Sequence, residues 1–167
     1  MLSFKEYLNV EESFDTRPAK TRREMKGRWN VRYHFSINDL KYVIDFIRSS
    51  ARSNEYELAF ALVDPVNDMM FNITDTGHQH EVLITVFDSI KDFLKFKPDT
   101  IRINFSASKR DSKSRGSVYG RLVKRFIPSD WEYEIKDRDR EIYFELKKRF
   151  SEVEKPKSGD LERLLSL

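Results

Sequence analysis

Between residues 55 and 106 the sequence places one long amphipathic helix between two apolar strands, and this arrangement constrains the fold more than any other feature. Residues 55–64 (EYELAFALVD) are apolar enough in their second half to predict a strand buried on both faces, which Asp64-Pro65 ends. Residues 100–106 (TIRINFS) alternate in polarity as a second strand. Because such a unit crosses over between parallel strands, we expect residues 101–105 to lie beside and parallel to 55–64.

The connecting helix is predicted over residues 80–95, where one stripe carries its apolar side chains: Leu83, Val86, Phe87, Ile90 and Leu94. A second helix is predicted over 114–126. After it, alternating apolar residues at 131–135 and 142–146 predict a closing hairpin across residues 137–140. The second half of the domain therefore reads as helix, strand, helix and hairpin.

The first half is predicted to be rich in strands. Residues 29–37 alternate between large apolar and polar side chains, which is typical of a half-buried strand. Residues 36–51 allow two interpretations, because Leu40, Val43, Ile44 and Ile47 have helical spacing while Asn38-Asp39 between β-rich runs suggests a hairpin turn. The β-branched and aromatic content of residues 42–47 favours a strand.

These elements predict a single α/β domain with a mixed sheet and the order β-β-β-α-β-α-β-β, spanning residues 28–150. Residues 1–27 are predicted to form an N-terminal arm, with a short helix capped by Ser3 and Glu6 and then a mobile polar linker. Residues 151–167 are predicted to be a C-terminal tail whose end carries a short apolar, helical patch. The 39% hydrophobic and 13% aromatic residues suffice for a core and exclude global disorder.

Composition also excludes several classes of function. The chain has no cysteine, so disulfides, thiolate metal sites and a cysteine nucleophile are excluded. No apolar run approaches the roughly 18 residues of a membrane span, and no secretory signal precedes the domain, so we expect a soluble protein that does not act at a membrane. Motifs of hydrolases and kinases are missing, and we predict no metal site, because His78 and His80 near Asp75 read as polar residues at a helix start.

The predicted order of elements resembles the core of the GCN5-related N-acetyltransferases (GNAT), over about residues 28–147. The resemblance implies that the third strand splays from the fourth, and that acyl-CoA pyrophosphate binds backbone N–H groups at the following helix start, here Thr76, Gly77 and His78. Only Gly77 remains of the family's spaced glycines, so the acyl-CoA motif is degenerate. Val118-Tyr119 resembles the family's Leu-Tyr, which implies that Tyr119 is the general acid toward the CoA thiolate; an ordinary packing tyrosine is the alternative.

A second resemblance concerns origin. Residues 105–108, Ser114-Arg115, Val118-Tyr119 and residues 124–126 look like segments of small proteins of tailed bacteriophages. Residues 1–8 are similar to the leaders of internal phage head proteins, which are cut after a Glu such as Glu11 or Glu12. The resemblance implies a location in the host cytoplasm or in the virion.

Basic residues concentrate in two segments. Residues 109–125 contain seven Lys or Arg and only one Asp, and residues 17–28 contain a second cluster of basic residues. Lys113 and Arg115, before or at the start of the second helix, are predicted to contact phosphate groups such as those of CoA. The alternative is a solvated surface and a charged tail.

These observations favour a phage-encoded accessory or virion-associated protein that binds a macromolecular partner. We expect that partner to be a protein of the virion or host, and the acyl-CoA site to be absent or vestigial, with no cofactor. The first alternative is an active N-acyltransferase that uses acetyl-CoA. The second alternative is a nucleic-acid-binding protein that uses the basic segments.

Overall fold

The computed structural model describes residues 17–63, 70–71, 79–108, 112–138 and 141–150, with side chains described for 17–63, 80–106, 119–136 and 143–150. Within these residues eight strands form one sheet, and two helices pack on it. The elements are β1 (Arg22–Lys26), β2 (Asn30–Ile37), β3 (Leu40–Arg48), β4 (Glu55–Val63), β5 (Met70–Phe71), α1 (Gln79–Phe96), β6 (Arg102–Ser108), α2 (Ser112–Phe126), β7 (Trp131–Arg138) and β8 (Glu141–Lys148).

The sheet has the order β1-β2-β3-β4-β6-β8-β7, with β5 paired to β4 off this path. All neighbours are antiparallel except β4 and β6, which are parallel and are connected through α1. The predicted mixed sheet and the predicted parallel pair are therefore confirmed. No described helix is long and apolar enough to cross a membrane.

The ambiguous segment after β2 is a hairpin. Asn38 and Asp39 both have positive φ, 46° and 65°, and they connect Ile37 to its partner Leu40. Two central residues of positive φ match the twist of the flanking strands, and Asn and Asp tolerate this conformation best after glycine. Residues 40–48 therefore form a strand, as the β-rich composition predicts, and the turn at Asn38 and Asp39 starts it.

Both helices cover the same face of the sheet. Phe93 of α1 stacks on Phe46 of β3 with ring centroids 4.0 Å apart, and Phe87 of α1 meets Phe105 of β6 at 6.3 Å. The predicted stripe on α1 is confirmed, since Val86, Phe87, Ile90 and Leu94 are buried and Leu83 is partly buried. The stripe is wider than predicted, because Val82, Ile84 and Phe93 are buried too.

Two expectations are wrong. Residues 22–26, within the segment predicted to be a mobile polar linker, form β1 and pair with β2 from Arg22↔His34 to Lys26↔Asn30. Long-range contacts hold this segment, since Ala19 N donates to Thr85 Oγ1 at 2.9 Å and Arg23 pairs with Asp92 at 3.0 Å. The second half of β4 is not buried on both faces: Ala59 is exposed and residues 60–63 are only partly buried. Predictions for residues 1–16 and 151–167 concern segments outside the described residues.

The other face of the sheet is polar, and within the described residues no helix covers it. Across β2 and β3 it carries a bidentate ion pair in which Arg32 donates to Asp45 at 2.6 and 2.8 Å. Asp45 is buried on this face although it is charged, which only such a paired geometry allows. Alternation places the apolar residues of β2 and β3 toward the helices and these ions on the opposite side.

Candidate functional site: an opening between β4 and β6

The two parallel strands part shortly after they meet. They pair only through Glu55↔Arg102, Tyr56↔Ile103 and Glu57↔Asn104, although β4 continues to Val63 and β6 to Ser108. Each strand keeps its other neighbour throughout this stretch: β4 stays paired with β3 up to Leu62, and β6 stays paired with β8 up to Ser108. The facing edges of residues 58–61 and 105–108 are therefore not paired with each other, and the gap between them is called the opening.

Strand β5 marks the outer limit of this opening. Leu62 pairs with Tyr42 of β3 on one edge and with Phe71 of β5 on the other, so β5 lies on the side of β4 that faces β6. Residues 58–61 lie between the last β4–β6 pair and β5. Backbone groups along such an edge form hydrogen bonds with whatever enters it in an extended conformation.

Helix α1 runs so that its N-terminus lies toward the wide end of the opening. Its Phe93 contacts Tyr56 at the start of β4 at 4.9 Å, whereas Phe87, nearer the N-terminus, contacts Phe105 beyond the paired stretch. Helix α2 begins soon after β6 ends, so its N-terminus also lies at the carboxyl ends of the diverging strands. Helix N-termini carry partial positive charge, and crevices at the carboxyl ends of parallel strands are the usual ligand sites of open sheets.

Tyr119 lies beside this opening, inside an aromatic cluster. Its ring is 3% exposed, with centroids 5.8 Å from Phe105, 5.0 Å from Phe144 and 6.2 Å from Phe87. Phe105 is the first β6 residue beyond the paired stretch, so Tyr119 lies against β6 and β8 on the helix side, at the level where β4 and β6 part. The packing role is present in the structure, and the general-acid role stays a prediction.

The other predicted site residues are only partly within the described structure. Thr76, Gly77 and His78 lie outside the described residues. Lys113 and Arg115 lie in the first turns of α2, where the backbone is described and the side chains are not. The fold therefore brings the start of α2 and Tyr119 to one region, while the predicted pyrophosphate turn remains a prediction.

Two residues at the apex, Glu57 and Asn104, escape sequence analysis. They form the last β4–β6 pair, on the face away from the helices. Glu57 is exposed, and the Oδ1 atom of Asn104 is buried without a hydrogen-bond partner. A buried carbonyl oxygen of this kind is a ready acceptor for a ligand N–H. An alternating strand gives the same polar pattern for a solvated residue, so the sequence carries no signal that would single them out.

Among the described residues no cluster of three His, Cys, Asp or Glu side chains could hold a metal ion. His34 is occupied by Glu24, with Nε2 and Oε2 2.6 Å apart across β1 and β2. Arrangements that include His78 or Asp75 lie outside the described residues.

A second surface feature lies at the other end of the helices. A groove of about 420 Å³ runs between the C-terminal halves of α1 and α2. Four basic residues and one acidic residue line it: Lys91, Lys95, Arg125, Lys148 and Asp130. Its remaining lining is apolar, with Leu94, Pro98, Phe126 and Trp131 among its residues.

No protein-family model and no curated protein matches the sequence. Similar solved structures include a chimera of the spermidine N-acetyltransferase SpeG from Vibrio cholerae and hSSAT, at 10% identity over 89% of this chain and 79% of that chain, with a TM-score of 0.45. A GNAT-family acetyltransferase from Streptococcus pneumoniae is 10% identical over 90% and 78% of the two chains, with a TM-score of 0.40. A Bacillus subtilis acetyltransferase in complex with CoA is 13% identical over 90% and 95%, with a TM-score of 0.36.

Proposed function

We propose that the protein binds an acyl-CoA thioester in the opening between β4 and β6 and transfers the acyl group to an amine. One observation carries the proposal: the parallel strands pair over three residues and then part, while each keeps its outer neighbour. Two unpaired strand edges fit the extended, amide-containing arm of CoA, because its amide groups can replace the missing ladder hydrogen bonds. The unpartnered Oδ1 of Asn104 at the apex fits the same ligand.

The two helix starts serve the charged end of the ligand. Phosphate groups are favoured where backbone N–H groups and a helix dipole point outward, and Lys113 and Arg115 add two positive charges at the start of α2. Thr76, Gly77 and His78 are proposed as the backbone contacts to the pyrophosphate. The adenine end therefore lies at the wide end of the opening and the thioester toward its apex.

The reacting groups are assigned by their position at the apex. The amine nitrogen forms a C–N bond to the thioester carbonyl, the C–S bond breaks, and the thiolate takes a proton that Tyr119 donates. Glu57, an exposed carboxylate at the end of the paired stretch, accepts the proton that the amine loses. The amine is oriented by Glu57 from the polar face, and the leaving sulfur lies on the helix side.

Calorimetry with acetyl-CoA tests the binding. A working site is expected to bind in the micromolar range, about −8 kcal/mol. Gly77→Pro and the double change Lys113→Glu/Arg115→Glu should each weaken binding at least tenfold. Lys20→Glu/Arg22→Glu is the matched control, because it makes the same charge change near β1, at the far edge of the sheet. A wild-type protein that does not bind acetyl-CoA has a vestigial site, and the proposal is then wrong.

Turnover separates the roles of individual residues. Tyr119→Phe and Glu57→Gln should keep acetyl-CoA binding and lose acyl transfer to a panel of amines, measured as release of free thiol. Full transfer by either variant removes only that residue's catalytic role. Loss of binding in Tyr119→Phe would instead assign the hydroxyl to the fold of the aromatic cluster.

We propose as a second candidate function that the acyl-CoA site is vestigial and that the chain is a phage-encoded accessory or virion-associated protein. The groove between the helix C-termini supports only the binding of a macromolecular partner. Four basic side chains around an apolar floor suit a protein segment that carries acidic and apolar residues. The aromatic residues that line the groove, Phe126 and Trp131, are buried, so they offer no stacking platform for nucleic-acid bases.

Fluorescence anisotropy with an acidic peptide and with single-stranded DNA tests this candidate. Lys91→Glu/Lys95→Glu should abolish peptide binding, while Lys20→Glu/Arg22→Glu should not. Stronger, salt-sensitive binding of DNA would support the nucleic-acid class instead, since its salt slope counts the phosphate contacts. Binding that neither double variant changes would exclude the groove.

A further inference from the structure

Strand β7 ends the sheet with a long, regular edge. Its eight residues pair with β8 at every position from Trp131↔Lys148 to Arg138↔Glu141, so no bulge interrupts the strand, and it contains no proline. In the described part of the chain nothing pairs with its outer edge. The opposite edge strand, β1, has only five residues. Proteins usually blunt exposed edges by shortening, bulges, proline or charged side chains. Strand β7 is long, regular and free of proline, so its charged residues are the one protection of this kind that it carries.

The face of β7 that points toward the helices exposes apolar side chains. Tyr133 and Ile135 are 41% and 37% exposed. Tyr133 packs between Phe144, at a centroid distance of 5.7 Å, and Gly120 of α2, where an added Cβ would lie 2.6 Å from the tyrosine hydroxyl. Helix α2 therefore meets the strand at Tyr133, and Ile135 lies beyond it with an apolar surface that a further strand would cover.

The charges on the other face of β7 are arranged in a self-complementary order. Along the strand the residues at alternate positions are Glu132, Glu134, Lys136 and Arg138, two acids followed by two bases. In an antiparallel pair of two β7 strands with position 135 opposite position 135, Glu134 lies opposite Lys136 of the second copy and position 132 (Glu) lies opposite position 138 (Arg). All four symmetry-related positions then carry opposite charges, which is the favourable arrangement for residues directly opposite in a sheet. On the other face, position 133 (Tyr) lies opposite position 137 (Asp).

Registers shifted by two residues satisfy the charges less completely, because each places one pair of like charges on the axis. A slip by two residues in one direction places Glu134 opposite Glu134, and a slip in the other direction places Lys136 opposite Lys136. A slip that moves the strand by one residue brings the apolar face of one strand against the charged face of the other. Among these registers, the one with Ile135 on the axis is the one in which no like charges lie opposite each other, so the charge order favours it.

We propose that two copies of the chain associate through antiparallel pairing of their β7 strands, with Ile135 on the two-fold axis, to form one continuous sheet. A two-fold contact uses the same surface on both copies, which a self-complementary strand provides. The dimer covers the exposed edge and brings the two Ile135 side chains together. This surface lies two strands away from the opening between β4 and β6, so the inference is independent of the proposed activity.

Sedimentation equilibrium of the full chain tests the proposal with a charge swap. Glu134→Lys and Lys136→Glu, each alone, place like charges opposite each other twice in the dimer and should raise its dissociation constant at least tenfold. The double variant Glu134→Lys/Lys136→Glu restores opposite charges and should recover the dimer. In the wild type Lys136 contacts Glu145 at 3.6 Å. The double variant keeps a lysine near Glu145, because position 134 is the direct strand partner of Glu145.

Two further variants complete the test. Ile135→Lys should yield a folded monomer, because Ile135 is exposed within one chain and two lysines would meet on the axis. Lys26→Glu, on the β1 edge, should leave the dimer unchanged. A wild-type chain that stays monomeric at the highest soluble concentration overturns the proposal. A dimer that survives Ile135→Lys, or one that the charge swap fails to rescue while circular dichroism shows a folded chain, also overturns it.

Discussion

Phe93 is the side chain whose removal should cost the domain most. It is fully buried on α1, where it stacks on Phe46 at 4.0 Å with an interplanar angle of 6° and meets the edge of Tyr56 at 4.9 Å. Burying a phenylalanine side chain contributes about 2 kcal/mol, and each of the two ring contacts adds about 1 kcal/mol. Phe93→Ala should therefore lower the free energy of unfolding by about 4 kcal/mol, within the range found for truncation of buried aromatic residues.

Urea unfolding followed by far-ultraviolet circular dichroism measures this change. Phe150→Ala is the matched control, because Phe150 is 65% exposed and the same truncation there should cost less than about 0.5 kcal/mol. Phe93→Leu keeps most of the volume and should cost about half as much as Phe93→Ala, which covers the case in which the alanine variant does not fold. A loss below about 1.5 kcal/mol for Phe93→Ala, or an equal loss for the control, would refute the assignment of Phe93 as the anchor of α1.

Three further changes test other parts of the structure. Burial raises the pKa of Asp88 above its ordinary 3.8, so the native state binds the proton more tightly than the unfolded chain and loses stability as the pH rises and Asp88 ionises. Asp88→Asn should therefore stabilise the fold at neutral pH, and this gain should vanish in acid, where Asp88 is protonated. Urea unfolding at a series of pH values measures the difference. The Tyr42 hydroxyl is buried without a hydrogen-bond partner, so Tyr42→Phe should leave thermal stability unchanged or raise it, whereas a loss above about 1 kcal/mol would indicate a hidden partner. Asp45→Ala should cost about 3 kcal/mol in urea unfolding because it leaves Arg32 without its bidentate partner. Glu24→Ala should cost less, because Glu24 is only partly buried at the edge strand β1.

Periodicity predicts the parts of the fold in which one physical pattern dominates. The alternation in β2 and the stripe on α1 report burial directly. Successive side chains of a strand point to opposite faces of the sheet, and an α-helix returns to the same face after 3.6 residues. The parallel pairing of β4 with β6 follows from chain order, since a helix that connects two neighbouring strands leaves them parallel. The hairpin at Asn38 and Asp39 was open to two interpretations, and its positive φ values show that turn chemistry decided between them.

Strand β1 shows where such patterns fail. Its five residues include four charged ones, and four of the five are exposed, so local composition suggests a linker. The strand is held by tertiary contacts that no local window contains, such as the ion pair of Arg23 with Asp92, to which Tyr33 also donates a hydrogen bond at 2.7 Å. Glu57 and Asn104 are missed for a related reason, because their importance comes from the point at which two strands part, and that point is a property of the sheet.

The apolar second half of β4, which was wrongly predicted to be buried on both faces, lies at the edge of the proposed site. Its composition predicts burial on both faces, yet Phe60 and Leu62 are only partly buried and Ala59 is exposed. This is the part of β4 that β6 does not pair with, since their pairing ends at Glu57. A strand edge that only faced water would gain nothing from this apolar composition and would carry a risk of aggregation. The same composition is useful if an extended ligand with apolar and amide groups occupies the space that β6 vacates, since Ala59 lets such a chain approach closely. The mismatch between composition and burial thus points to the same opening as the three-residue pairing of β4 with β6.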